Sequence, residues 1–161
     1  FGYEMQINFM LQRCLVAKNW LHVGVNVVME RSHLEDVVFA RHLLAEGMIS
    51  GSEFDAYMVT WHSLDKRLRR PDLVVFLDVP TEVSVARLDS DEDTGRRPRE
   101  FPDQAAKVRW VTSWYRFYCE RLEELQRESN DASRLLVLKS ATPEAAVSAA
   151  ISALNELQLA R

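Results

Sequence analysis

Three observations predict an α/β fold with a mostly parallel sheet. The runs Val23-Gly24-Val25-Asn26-Val27-Val28-Met29 and Leu73-Val74-Val75-Phe76-Leu77-Asp78-Val79 are almost continuously apolar and rich in β-branched residues. That is the pattern of strands buried on both faces. Helical periodicity fills the intervals, and strands alternating with helices are expected to run parallel. The first run ends abruptly in Glu30-Arg31-Ser32, an acid, a guanidinium and a hydroxyl. Open α/β sheets hold their ligands outside the carboxyl ends of the strands. An ordinary strand end with a solvated ion pair has the same local signature.

Taken in order, Phe1 to about Asn19 reads as a helix, with Met5, Phe9 and Leu15 joined by Met10, Leu11 and Cys14 at helical spacing. Gln6 and Arg13 stand two turns apart and project from nearly the same face. After the Val23–Met29 strand, a second helix runs from Leu34 to about Ala45, with Gly47 as its C-cap. Ser50 or Ser52 caps a third, from about Glu53 to Arg69, carrying Tyr57, Trp61 and His62 and stopped by Pro71. Beyond the Leu73–Val79 strand, Pro80 and Thr81 open a short helix to about Leu88. Residues 89–101 are highly charged and lack apolar periodicity, which predicts a mobile loop. Asp103 then opens a long helix to about Arg127, with Val108, Val111, Trp114, Tyr115, Tyr118 and Leu122 on its apolar stripe. Leu135–Leu138 reads as a short strand, and Thr142-Pro143-Glu144 opens a last, Ala-rich helix to about Leu157. Three strands fall short of the four to six that are usual, roughly, in a sheet, which predicts that strands are missing from this sequence.

At 161 residues the chain is long enough for a single domain, residues 1–161, with a core of its own. The net charge of −4 argues against nucleic acid as a partner. Cys14 and Cys119 follow no metal or redox spacing and read as buried free thiols in a reducing compartment. No run is long enough for a transmembrane segment and no signal peptide is visible. The chain starts at Phe1, without an initiating Met and already inside an amphipathic helix. It is therefore expected to be part of something longer, or to be processed from an interior point.

The arrangement of Gln6, Arg13, Glu30-Arg31-Ser32 and Asp36, six after the Glu, resembles the deoxynucleoside kinase family. The match continues in order through Tyr57, Trp61-His62, the Pro71–Asp78 run, and an Arg-rich segment ending in Glu100. The resemblance implies a P-loop-kinase-like parallel sheet with flanking helices, and a lid at residues 89–101. It implies that Gln6 hydrogen-bonds the nucleobase edge, for which an amide offers one donor and one acceptor. Arg13 and Asp36 would form a charged pair that also reads the base. That pairing is similar to the members acting on deoxyguanosine, deoxyadenosine and deoxycytidine. A buried ion pair costs desolvation and makes sense mainly when a polar ligand completes its hydrogen bonds.

In the same family, the counterpart of Glu30 helps to hold Mg²⁺ through water, and that of Arg31 steers the 5′-hydroxyl region and the phosphate. These are the groups that phosphoryl transfer from ATP requires. Arg96, Arg97 and Arg99 resemble lid arginines that close over phosphates, and Glu100 the lid acid that binds the sugar 3′-hydroxyl. From spacing alone, Gln6 and Arg13 also fit a solvated helix face, and residues 89–101 a solvated loop. Asp89, Asp91, Glu92 and Asp93 depart from the family pattern, and four acids beside a triphosphate site would repel it.

The larger departure is that none of the five glycines precedes a Lys, so no Gly-Lys-Ser/Thr phosphate loop occurs in this sequence. The family's general base would lie upstream of Phe1. Without the central P-loop strand these residues alone are expected neither to fold stably nor to catalyse. Two expectations follow. The chain is the larger part of a deoxynucleoside kinase, using ATP and Mg²⁺ and commonly a homodimer; the expected location is mitochondrial, on the strength of the relative named next, and otherwise cytoplasmic. Alternatively, it is a catalytically silent accessory subunit of mitochondrial respiratory complex I, a relative that Leu77–Val83 and the last strand and helix also resemble.

Overall fold

The computed structural model describes residues 2–128, 134–139 and 142–159. They form six helices and two strands in the order α1 Gly2–His22, α2 His33–Ala45, α3 Gly51–Asp65, β1 Leu73–Asp78, α4 Thr81–Asp93, α5 Gln104–Glu128, β2 Arg134–Lys139 and α6 Pro143–Leu159. The chain divides into two compact units, Phe1–Arg70 and Pro71–Arg161. Phe1, the expected start of the first helix, lies outside the described residues.

The first unit packs α1, α2 and α3 against one another. Its core joins Met10 and Cys14 of α1, Val37 and Ala40 of α2, and Tyr57 and Trp61 of α3. The buried stripe of α1 is Gln6, Met10 and Cys14, spaced one turn apart, while Met5, Phe9, Leu11 and Leu15 face outward. The helix thus packs the face with the amide rather than its most apolar face. Ser50 caps α3 in a reciprocal box with Glu53, as the sequence requires.

The Val23–Met29 strand is not formed among the described residues. Instead α1 continues through His22 and closes on Gly24, whose φ of 75° is the left-handed conformation of a helix C-terminus. The Gly24 N–H donates to the Leu21 carbonyl, and the Val25 N–H reaches back to Trp20. A run becomes a strand only when a neighbour takes its backbone hydrogen bonds, and the one ladder among the described residues pairs β1 with β2. Val28 is left 94% exposed.

In the second unit β1 and β2 pair in parallel, with Leu73 opposite Arg134 and Asp78 opposite Lys139. α5 packs on one face of β1, where Phe76 meets Tyr118 edge-on at 6.3 Å. Val75 and Leu77, expected to be buried, point the other way and are exposed. A two-stranded ribbon has too little covering structure to bury both of its faces. Helix α6 runs beside both strands, and the Thr142 hydroxyl caps it by accepting from the Ala145 N–H at 3.3 Å.

Helix α4 does not stop near Leu88 but runs to Asp93 and turns off at Gly95, whose φ is 70°. Asp89–Asp93 are therefore its last turn rather than the start of a loop. The buried positions of α5 are Lys107, Val111, Phe117, Arg121 and Leu125, so two cations lie where only apolar groups were expected. No helix among the described residues is long and apolar enough to cross a membrane.

Candidate functional site

Arg13 of α1 pairs with Asp36 of α2 through Nη1 and Oδ1. The Asp36 side chain is 1% exposed, whereas that of Arg13 is 24% exposed. Asp36 Oδ2 is buried with no hydrogen-bond partner, and so is the Tyr57 hydroxyl from α3. Burial pushes the Tyr57 phenol well up from its ordinary pKa, against the opposing pull of the Arg13 charge. Gln6 lies buried two turns before Arg13 on the same helix.

The turn between α1 and α2 presents the remaining polar groups. Glu30 and Arg31 are exposed, and Arg31 has φ 61°, the one positive φ among the described non-glycine residues. Ser32 caps α2, its hydroxyl accepting from the Leu34 N–H at 3.2 Å. The Arg31 guanidinium lies 5.3 Å from the centre of the Phe39 ring, and that of Arg13 lies 6.0 Å from the same ring. Arg13, which carries Asp36, and Arg31 thus meet the same Phe39 ring, and the exposed Glu30 directly precedes Arg31 in the turn. Phe39 was not singled out from sequence; its place one turn after Asp36 on α2 was the available signal.

In the second unit the charged segment is paired throughout. Arg96 faces Asp91 at 3.6 Å, Arg97 holds Glu100 at 2.9 Å, and Arg99 holds Asp93 at 3.1 Å. Lys107 Nζ, its side chain 6% exposed, donates to Asp89 at 2.6 Å and to Glu92 at 2.7 Å. Gln104 adds a bond to Asp89 at 2.9 Å. Bonds from Lys107 and then Gln104 hold the Asp89 carboxyl below its ordinary pKa, while Asp89 and Glu92 hold the Lys107 ammonium above its own. Each of the four acids has a cation within ion-pair distance, and the helical end of α4 brings Asp89 and Glu92 onto α5. Near the strand end, the Tyr115 hydroxyl donates to Asp78 at 3.0 Å, which pushes the Tyr115 pKa up to about 12. Cys14 is buried and Cys119 half-buried, both as free thiols.

The second unit pairs helices with a parallel ladder, and the first holds a buried Arg–Asp pair and a Glu-Arg-Ser turn with a left-handed residue. The deoxynucleoside kinase family profile matches residues 1–99, and the chain belongs to that family. It is 26% identical over 127 residues to the deoxyadenosine kinase of Dictyostelium discoideum, which covers 79% of this chain and 49% of that one. The chain therefore spans about half the length of the curated relative it matches. Among solved structures it is similar to deoxyadenosine kinase from M. mycoides with bound dCTP, at a TM-score of 0.69 and 17% identity, over 96% of this chain and 73% of that one. The same enzyme with bound dATP gives a TM-score of 0.64 at 16% identity, over 95% and 74%. At these identities the structural likeness carries the fold.

Proposed function

We propose that these residues form the nucleoside side of a deoxynucleoside kinase, which transfers the γ-phosphoryl group of ATP to the 5′-hydroxyl of a deoxynucleoside with Mg²⁺. The observation that carries this reading is Asp36, almost fully buried against Arg13 with Oδ2 unpartnered. A spare carboxylate oxygen in a buried pair is costly unless a polar ligand completes it. Gln6 would take a base edge that pairs an amino donor with a ring-nitrogen acceptor, the pattern common to adenine and cytosine. The dATP and dCTP held by the solved relatives carry those two bases.

Arg31 would orient the 5′-hydroxyl and the incoming phosphoryl group. Glu30, exposed at the turn, fits a hard-oxygen partner that meets Mg²⁺ through water. ATP supplies the phosphoryl group, and the Gly-rich loop that would cradle it is not among these 161 residues. Arg96, Arg97 and Arg99 would exchange acidic partners for phosphate oxygens, and Glu100 would accept the 3′-hydroxyl. Exposed ion pairs are weak enough to be exchanged in this way.

Calorimetric titration of the full-length chain with the four deoxynucleosides tests the reading. Deoxyadenosine and deoxycytidine should bind well ahead of thymidine, and Gln6→Leu should weaken both by about ten-fold, the weight of a lost hydrogen bond to the base. Equal affinity for all four, or an indifferent Gln6→Leu variant, overturns the placement of Gln6. The alternative, a silent accessory subunit of mitochondrial complex I, predicts no nucleoside binding, co-fractionation with that complex and no homodimer.

A further inference from the structure

Arg31 holds a left-handed backbone conformation, which a long L side chain adopts only where its surroundings enforce it. Enforcement comes from α3. The Trp61 indole N–H donates to the His33 carbonyl at 2.7 Å, in a buried bond. The His33 ring meets Asp65 Oδ1 through Nε2 at 3.0 Å, with the two side chains 8% and 11% exposed. Arg70 Nη2 donates to Asp65 Oδ2 at 3.1 Å and so fixes that carboxylate. Trp61 and Asp65 stand one turn apart on α3, so they share a face and grip one residue by its carbonyl and its ring. That residue lies two positions beyond Arg31, where Ser32 has just begun α2.

We propose that Trp61 and Asp65, acting through His33, are positioning residues that hold the Arg31 turn in its left-handed conformation and so aim the guanidinium at the 5′-phosphoryl group. The aim at phosphate rests on the kinase reading above; the grip on the backbone does not. Phe39 fixes the far end, because the Arg31 guanidinium lies over its ring. Backbone and head group are thus held from two different helices. Such double fixation is what a group needs if it is to meet a developing charge without reorganising.

The test uses the full-length chain and three variants: Trp61→Phe, which removes one N–H and keeps a ring; His33→Leu, which removes the bond to Asp65; and His33→Gln, whose amide N–H can still reach Asp65. The one-bond Cα–Hα coupling and carbon shifts of Arg31 report the sign of its φ without any ligand. Trp61→Phe and His33→Leu should lose the left-handed signature, and His33→Gln should keep it. Retention in both of the first two overturns the proposal. The second readout is the ratio of affinities for a deoxynucleoside 5′-monophosphate and its deoxynucleoside. It should fall about five-fold in Trp61→Phe and His33→Leu, the weight of one hydrogen bond, and recover in His33→Gln. A parallel loss of both affinities, with the ratio unchanged, means ordinary packing and overturns the positioning role. In a wild-type chain that binds neither ligand the proposed activity falls, and the Arg31 signature alone then upholds or overturns the grip of α3.

Discussion

Arg13 and Asp36 form their ion pair inside the first unit, with the Asp36 side chain 1% exposed; Arg99 and Asp93 form theirs on the second unit, 74% and 69% exposed. The same two residue types serve different ends. The buried pair is held in place by packed helices and has a carboxylate oxygen to spare. The surface pairs are open to solvent and salt, hold each other loosely, and are suited to exchange. Between these extremes sits Lys107, a buried ammonium with two acids, which ties the end of α4 to the start of α5. On the reading proposed above, the first kind of pair would recognise the base and the second would change partners.

The sharpest way to break this comparison is to remove one acid from each kind of pair. Asp36→Ala leaves a partly buried guanidinium uncompensated and should cost about 3 kcal/mol in urea denaturation. A cost near zero would mean that water already reaches the pair. Next in size is Lys107→Met, which strands Asp89 and Glu92. It should lower the thermal midpoint and alter the response to pH at both ends. A carboxyl held below its ordinary pKa adds stability that is present above that ordinary value and is lost as pH falls through the depressed one. An ammonium held above its ordinary pKa adds stability that is present below that ordinary value and is lost as pH rises through the raised one. In the variant the Lys107 contribution should vanish and that of Asp89 should shrink to what the Gln104 bond sustains, and pH-dependent unfolding identical to wild type would refute the tie.

Tyr57→Phe should leave stability unchanged or raise it by about 1 kcal/mol, since the hydroxyl is buried without a partner. A clear loss would show that the hydroxyl is hydrogen-bonded in solution. The smallest stability effect belongs to Asp91→Asn with Asp93→Asn, within roughly 0.5 kcal/mol for each exposed pair. Freeing Arg96 and Arg99 in this way should tighten ATP binding by about two-fold per pair, read by titration. Weaker binding would mean that these acids order the arginines for phosphate rather than compete with it.

Much of the site was legible because it rests on spacing along single helices. Gln6 and Arg13 lie two turns apart on α1, and Asp36 follows the Ser32 cap by one turn of α2. The Arg13–Asp36 contact between α1 and α2 came from the resemblance, and the parts that were not legible are the other contacts between segments. Phe39 gains its place only because α1 brings Arg13 to it and the turn brings Arg31. The acids of 89–93 looked repulsive in sequence, since nothing local announces that Lys107, more than a dozen residues on, will be folded against them.

The sequence by itself determined where α3 starts and where α2 stops. The Ser50–Glu53 box and the stop at Gly47 are short-range hydrogen-bonding and backbone preferences that need no distant partner. Tertiary structure alone decided which face of α1 is buried, whether Val23–Met29 pairs as a strand, and, apart from the Arg13–Asp36 pair that the resemblance implied, which acid meets which base. Burial, strand pairing and ion pairing each require a second segment to arrive, and hydrophobic pattern within one segment says nothing of what arrives. The run from Val23 has the composition of a buried strand, but Gly24 closes a helix there and β2 gives its hydrogen bonds to β1 instead.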